Sequence, residues 1–149
     1  MVFIVYCDGL CEPKNPGGIA TYGFVLYKDD IKLYEGKGLV GEGPAMSNNV
    51  AEYAALCNAL NFLKEEKLTD EKVIVRSDSR LLVNQMSGEW KVRRGLYISK
   101  YNEARKLNIY FRDITYEWIP RESNEEADAL SQRVYHDYLR TGESSQLHS

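Results

Sequence analysis

The chain has 149 residues, which is the length of one ordinary domain. Its net charge is −3, from 19 Lys and Arg against 22 Asp and Glu, which excludes a uniformly basic coat protein for nucleic acid but allows a local basic surface. No apolar run reaches the length of about 18 residues that a membrane span needs. The cysteines Cys7, Cys11 and Cys57 form no CxxC pair, which favours a reducing, cytoplasmic location over a disulfide-rich secreted fold.

The first part of the chain predicts three sequential strands in an antiparallel meander. Each of three runs is apolar or rich in β-branched and aromatic residues, and the runs are separated by turn-forming segments. The longest of these segments, Glu12–Gly18, contains so much Pro, Asn and Gly that it predicts a loop. The predicted strands are Val2–Cys7, Thr21–Tyr27 and Ile31–Val40.

From Val50 onwards helices alternate with strands. Val50, Tyr53, Cys57 and Leu60 fall on one stripe of a long helix. The later predicted elements are the strand Val73–Arg76, a short helix to about Met86, the helix Tyr97–Leu107, the strand Ile114–Ile119 and the helix Asn124–Leu139. This order predicts an α/β fold, in which a mixed five-stranded sheet carries helices on its faces. We expect a single domain over residues 1–140 and a frayed tail over 141–149.

Four acidic residues lie at the joints between these elements. Asp8 follows the first strand and Asp78 follows the fourth, so parallel pairing of these strands would bring both carboxylates to one edge of the sheet. Glu52 lies in the first turn of the long helix, and Asp128 lies near the start of the last helix. Carboxylates gathered in one crevice repel each other unless cations neutralise them. An oxygen-only ligand set favours Mg²⁺ or Mn²⁺ over zinc.

The same residues also have a purely structural interpretation. Asn49 with Glu52, and Ser123 with Glu126, are spaced as capping boxes of the helices that begin there. Ser79 could simply cap the short helix that follows it. Only the coincidence of the acids at strand ends and helix starts favours a site, and this pattern by itself predicts a metal-dependent hydrolase.

Four motifs resemble ribonuclease HI, and they occur in the order in which that family has them. The first is an Asp-Gly strand end followed by an Asn-Pro-Gly turn, within Tyr6–Tyr27, and the second is an Asn-Asn-x-x-Glu helix start, within Met46–Leu56. The third is an Asp-Ser joint between strand and helix, within Ser77–Val83, and the fourth is an Asn-x-x-Ala-Asp ending, within Ile119–Leu130. Together the motifs span nearly the whole chain up to Arg140.

The resemblance implies a ribonuclease H fold and an endonuclease that hydrolyses the RNA strand of RNA–DNA hybrids. It implies that Asp8, Glu52, Asp78 and Asp128 are the catalytic residues and the ligands of two Mg²⁺ or Mn²⁺ ions. Two such ions activate a water on one side of a phosphodiester and stabilise the leaving alkoxide on the other. The expected products end in 5′-phosphate and 3′-hydroxyl groups.

The resemblance also implies which residues contact the hybrid. The residues that match substrate-contacting positions of the family are Gly9, Asn15, Asn48, Asn49, Ser79 and Arg80. Side-chain amides both donate and accept hydrogen bonds, as sugars and base edges require. Arg80 stands where many relatives have Gln, and an exposed, solvated arginine is the alternative interpretation.

The chain departs from the best-known family pattern in two places. The loop before Asp128 contains no histidine, and we expect Arg121 to bind phosphate or to order the metal site there, since a guanidinium does not transfer protons at neutral pH. A surface ion pair with a neighbouring glutamate is the alternative for Arg121. A basic segment that is long in some relatives is reduced to Glu89–Gly95, in which Trp90 could stack on a sugar or pack in the core. With no separate hybrid-binding domain, the chain resembles the short, archaeal-type branch.

Three other functions stay open at this point. Double-stranded RNA also presents 2′-hydroxyl groups in a wide minor groove, so it is an alternative substrate. A non-catalytic hybrid-binding protein of the same fold is the second alternative. Resolvase, transposase and exonuclease relatives share acid clusters but lack this series of motifs. In each case we expect a monomer that binds nucleic acid and no membrane.

Overall fold

Within the described residues, five strands and four α-helices follow one another in the predicted order. The structure is a computed structural model that describes the backbone of residues 1–148 and the side chains of residues 1–141. The elements are β1 (Val2–Glu12), β2 (Ile19–Lys28), β3 (Ile31–Glu42), α1 (Asn48–Glu65), β4 (Lys72–Ser77), α2 (Arg80–Met86), α3 (Ile98–Asn108), β5 (Asp113–Trp118) and α4 (Glu125–His148), with a 3-10 turn at Arg121–Ser123. The helix α4 extends past its predicted end at Leu139, and the predicted frayed tail otherwise lies outside the described side chains.

The strands form one mixed sheet in the order β3-β2-β1-β4-β5. The pairs β1–β2 and β2–β3 are antiparallel, whereas β1–β4 and β4–β5 are parallel. This arrangement confirms the predicted α/β fold, with a three-stranded meander joined to parallel strands.

The two long helices cover opposite faces of the sheet. The helix α1 packs on the face that carries Val5 and Cys7, and its residues Leu56 and Leu60 are fully buried there. The helix α4 packs on the other face, against β2 and β1. None of the helices in the described part of the chain combines the length and the apolar character that a membrane crossing requires.

The sequence predicts that strand β1 ends at Cys7, but in the structure the strand continues to Glu12. Its parallel pairing with β4 stops where Cys7 faces Ser77, but its antiparallel pairing with β2 continues to Glu12. Asp8 therefore lies in a part of β1 that pairs with β2 but no longer with β4. An Asp-Gly pair favours a turn in isolation, and here the hydrogen bonds to β2 hold the backbone extended.

The start of α1 also differs from its predicted capping box. Ser47 is the N-cap, and its hydroxyl oxygen accepts a hydrogen bond from the Val50 N–H at 3.1 Å. Asn49 lies inside the helix, so its predicted capping role is wrong. Ser79 does cap α2, because its hydroxyl accepts a hydrogen bond from the Leu82 N–H at 3.1 Å.

The predicted capping box at the start of α4 is wrong as well. The Ser123 N–H donates to the Pro120 carbonyl. The carboxylate of Glu126 accepts hydrogen bonds from the Tyr27 hydroxyl and from the Lys32 ammonium, the latter at 2.8 Å. These contacts tie the first turn of α4 to the hairpin between β2 and β3. The spacing of Ser123 and Glu126 fits a capping box, but Glu126 makes a tertiary contact instead. Sequence spacing does not reveal this contact.

Candidate active site

Asp8 and Asp78 emerge side by side at the carboxyl end of the β1–β4 pair. They directly follow Cys7 and Ser77, the last residues at which these two strands pair with each other. Asp8 is buried, and its Oδ1 accepts a hydrogen bond from the Gly9 N–H at 2.9 Å. The position agrees with the expectation that two parallel strands bring these carboxylates to one crevice.

Glu52 reaches the same crevice because α1 passes very close to β1. A Cβ atom at Gly9 would lie 2.4 Å from the backbone carbon of Ala51, a distance that no side chain tolerates. Glycine at this position therefore allows the helix to approach until Glu52, the residue after Ala51, lies beside Asp8. This close packing gives Gly9 a structural role within the site.

Asp128 is brought to the crevice by the packing of α4 on β2. A Cβ atom at Gly23 would lie 2.6 Å from the carbonyl oxygen of Ala127, so glycine is needed here too. The Thr21 hydroxyl donates a hydrogen bond to the carbonyl of Ser131 at 2.8 Å, which fixes the same turn of the helix. Asp128 lies between these two anchoring points.

Three of the four acids form a tight cluster. Asp8, Glu52 and Asp78 each offer a carboxylate oxygen, and these oxygens lie within 4.8 Å of one another. Burial, and then the charge of Asp78, raises the pKa of Asp8 from 3.8 to about 8. Burial and the charge of Asp8 likewise raise the pKa of Glu52 well above its ordinary value. The cluster is therefore unfavourable as three bare negative charges.

The donor set of this cluster fits a hard divalent cation. All three groups supply oxygen, which Mg²⁺ and Mn²⁺ prefer. The Oε2 atom of Glu52 is buried and has no hydrogen-bond partner, and a buried oxygen of this kind needs a positive charge or a donor. The guanidinium of Arg121 brings a positive charge to the cluster only on the side of Asp78, where 3.9 Å separate its Nε from Oδ2 of Asp78.

The acids line an open cleft of about 560 Å³. Nine of the predicted site residues line it: Asp8, Gly9, Asn48, Asn49, Glu52, Asp78, Ser79, Arg121 and Asp128. Asn15 and Arg80 do not. Arg121 pairs with Asp78 rather than with a neighbouring glutamate, so the predicted alternative for Arg121 is wrong.

Asn15 and Asn48 are partly engaged in holding the backbone together. The Oδ1 of Asn15 accepts a hydrogen bond from the Asn48 N–H at 2.8 Å, and the Oδ1 of Asn48 accepts one from the Cys11 N–H at 2.9 Å. These bonds link β1 and the loop after it to the start of α1. Each asparagine still has an amide group that can donate to a ligand.

Four residues that line the cleft have no counterpart among the predicted site residues: Leu10, Glu12, Trp118 and Gln132. Trp118 ends β5 and Gln132 lies on α4, and both line the cleft. Sequence spacing gave no signal that either residue belongs to the site. The sequence pattern placed Trp118 in strand β5 and indicated nothing further about it. Trp90, in the short basic segment, is 49% exposed, so the alternative that it packs in the core is wrong.

Comparisons with known proteins find relatives that span most of this chain. Residues 7–134 match the protein-family profile described as reverse transcriptase-like. Ribonuclease HI of Halobacterium salinarum is 35% identical over 133 residues, which are 89% of this chain and 63% of that protein. A bifunctional protein of Mycobacterium tuberculosis is 40% identical over 133 residues, 88% of this chain. The chain spans only 35% of that relative's length.

Solved structures extend the comparison to the fold. The N-terminal RNase H domain of the M. tuberculosis protein superposes with a TM-score of 0.81 and 34% identity, over 95% of this chain and 98% of that one. The crystal structure of LC11-RNase H1, an enzyme isolated from compost, in complex with an RNA/DNA hybrid gives a TM-score of 0.83 at 34% identity. That match covers 92% of this chain and 99% of the other. From its sequence motifs, its sheet topology and these relatives, the chain belongs to the ribonuclease HI family.

Proposed function

We propose that the protein is a ribonuclease H, an endonuclease that hydrolyses the RNA strand of RNA–DNA hybrids and leaves 5′-phosphate and 3′-hydroxyl ends. The observation that supports this most strongly is the cluster of Asp8, Glu52 and Asp78, with oxygens within 4.8 Å, in a cleft that Asp128 also lines. A relative of 34% identity and nearly the same fold was crystallised with an RNA/DNA hybrid.

Asp8, Glu52, Asp78 and Asp128 would hold two divalent cations, Mg²⁺ or Mn²⁺. When bound, such ions activate a water for attack on phosphorus and stabilise the leaving oxygen. A carboxylate oxygen of Asp8 lies within 4.8 Å of one from Glu52 and one from Asp78, and Oδ1 of Asp8 is held by the hydrogen bond that it accepts from the Gly9 N–H. The rigid strand and helix backbones around these acids keep their carboxylates in place without a substrate.

The remaining cleft residues would bind the hybrid. The free amide groups of Asn48 and Asn49 are placed to donate to sugar or base oxygens. Glu52 could also accept a hydrogen bond from a ribose 2′-hydroxyl, which DNA lacks. Arg121, with its side chain 88% exposed beside Asp78, would meet a backbone phosphate. Most of these contacts would go to sugar and phosphate, so we expect little base preference.

A cleavage assay on an end-labelled hybrid tests the proposal. We expect cleavage of the RNA strand with Mg²⁺ or Mn²⁺, none with a chelator, and loss of at least about 100-fold in rate for Asp8→Asn or Asp128→Asn, since each removes a charge from the proposed metal site. Asp137→Asn is the matched control, because Asp137 lies on the same helix as Asp128 but on the exposed surface. Analysis of the product ends checks the chemistry.

The alternatives are separate arms of the same assay. Cleavage of a matched all-RNA duplex would add double-stranded RNA as a substrate. Hybrid binding without any cleavage by the unmodified protein would favour a non-catalytic binder, and cleavage of DNA duplexes or junctions would favour a different nuclease of this fold.

We also propose that residues 1–140 act as one catalytic domain, that the protein is a monomer and that it is cytoplasmic. The location rests on its cysteines, since Cys7, Cys11 and Cys57 are all free and buried. Sedimentation velocity tests the oligomeric state, and cell fractionation tests the location.

A further inference from the structure

Trp118 is an exposed tryptophan at the wall of the cleft. It is the last residue of β5 and pairs with Ser77 of β4 in the sheet. Its side chain is 40% exposed and lines the same cleft as the acid cluster. The exposed part of this large aromatic ring is therefore available for contacts at the edge of the cleft.

Two contacts connect Trp118 to the turn between β4 and α2. Its indole Nε1–H donates a hydrogen bond to the backbone carbonyl of Asp78, with 3.2 Å between the heavy atoms. The guanidinium carbon of Arg80 lies 3.8 Å from the centre of the indole ring, which is the geometry of a cation–π contact. One side chain therefore touches both ends of the segment Asp78–Arg80.

The charge of Arg80 is free for a ligand. Among the described side chains, no carboxylate forms an ion pair with Arg80, and Arg80 is exposed at the first residue of α2. A solvated arginine samples many rotamers, and ordering it on a ligand costs entropy. Stacking on Trp118 removes part of this cost, because the guanidinium is already held next to the cleft.

We propose that Trp118 is a positioning residue, which holds Arg80 at the rim of the cleft as a phosphate contact and anchors the Asp78 backbone through the indole N–H. Arg80 acts through its charge on the hybrid, and Trp118 acts through Arg80 and Asp78. The inference rests on the proposed hybrid substrate. It explains why Arg80 does not line the cleft itself and yet can take part in binding.

A double-mutant cycle on hybrid binding tests the stacking. Affinity is measured in an Asp8→Asn background, so that the hybrid stays intact, over a range of salt concentrations. We expect Arg80→Ala to weaken binding about 3- to 10-fold and to reduce the salt slope by about one. In a Trp118→Leu background, which lacks the ring, the same change should weaken binding less than about 2-fold; in a Trp118→Phe background, which keeps an aromatic face, the larger factor should return.

The indole hydrogen bond has a separate readout. Trp118→Phe removes the N–H but keeps a ring, so we expect a higher Mg²⁺ concentration for half-maximal thermal stabilisation, and a lower kcat at limiting Mg²⁺ with KM for the hybrid unchanged. An effect on KM alone would contradict the anchoring of Asp78.

Arg112→Ala is the matched control, because Arg112 is exposed at the opposite end of β5 from Trp118. Equal losses from Arg80→Ala in all three Trp118 backgrounds would overturn the stacking proposal. If Trp118→Leu does not fold, NMR decides: the Trp118 indole N–H resonance should shift in Arg80→Ala and stay in place in Arg112→Ala, and an unshifted resonance in both overturns the proposal. If the unmodified protein binds no hybrid, the proposed function fails, whereas this NMR measurement still reports on the stack.

Discussion

The side-chain amide of Asn124 donates a hydrogen bond to the backbone carbonyl of Cys7, with 2.8 Å between the two atoms. Cys7 immediately precedes Asp8 in β1, and Asn124 immediately precedes α4, which carries Asp128. This one buried bond therefore joins the two elements that carry the first and the last acid of the cleft.

Loss of this bond should affect both stability and activity. We expect Asn124→Ala to lower the free energy of unfolding by about 1–3 kcal/mol, because a buried hydrogen bond is lost, and to reduce cleavage as α4 loosens. Urea unfolding and the hybrid assay measure the two effects. Asn102→Ala, which removes an exposed amide from α3, is the control and should change neither; equal behaviour of the two variants would contradict the anchoring role.

Gly9 should tolerate no side chain. Gly9→Ala places a Cβ atom 2.4 Å from the backbone of Ala51, so α1 must move away and take Glu52 with it. We expect a loss of about 1–3 kcal/mol or more in unfolding free energy and a large loss of Mg²⁺-dependent activity. Gly41→Ala is the comparison, since its Cβ would meet only the flexible side chain of Met46, at 3.1 Å. A Gly9→Ala protein with normal activity would show that this close approach does not position Glu52.

The metal-free protein should lose stability as the pH rises. The pKa of Asp8 is about 8 in the folded state against 3.8 as its ordinary value, so the folded protein binds more protons between these values than the unfolded chain does. Stability from this group therefore falls from about pH 4 to about pH 8. Glu52, whose pKa is also raised, acts in the same direction.

Thermal unfolding in a chelator at several pH values measures this slope. Asp8→Asn should flatten it and raise the Tm above pH 7, by about 2–4 °C for each kcal/mol gained. Mg²⁺ should flatten the slope of the unmodified protein, because the cation favours the ionised carboxylates. Asp113→Asn, which removes an exposed acid at the start of β5, is the control. A stability of the metal-free protein that increases with pH would contradict the crowding of these carboxylates.

Arg121 should matter for binding and little for stability. Its side chain is 88% exposed and lies 3.9 Å from Asp78, so the ion pair is of the solvent-screened kind that contributes about 0–1 kcal/mol. We expect Arg121→Ala to unfold at nearly the same urea concentration, but to bind the hybrid more weakly and with a salt slope smaller by about one. Fluorescence anisotropy in the Asp8→Asn background measures the affinity. Marked destabilisation with unchanged affinity would make Arg121 a structural residue.

The elements and the acid positions follow from the sequence because their signals are local. Apolar runs and helical periodicity predict the strands and helices, and Asp8 and Asp78 lie next to residues that pair in parallel strands. The extension of β1 beyond Cys7 is not local. It depends on pairing with β2 across the loop that follows Glu12, which overrides the turn preference of an Asp-Gly pair.

The details of the cleft depend even more on tertiary contacts. Three consecutive residues, Ser47, Asn48 and Asn49, are all good N-caps, and only the course of the backbone selects the first. The role of Trp118 cannot be deduced from spacing, because its partners Asp78 and Arg80 lie about 40 residues earlier in the chain, across the β4–β5 pair.

The continuation of β1 past its parallel neighbour also affects how the family can vary. Asp8 is supported by a strand and not by the tip of a loop, so the connection between α2 and α3 can grow or shrink without moving the carboxylate. A longer, lysine-rich insert between Met86 and Ile98 would then change the affinity for nucleic acid, while the hydrolytic centre kept its geometry.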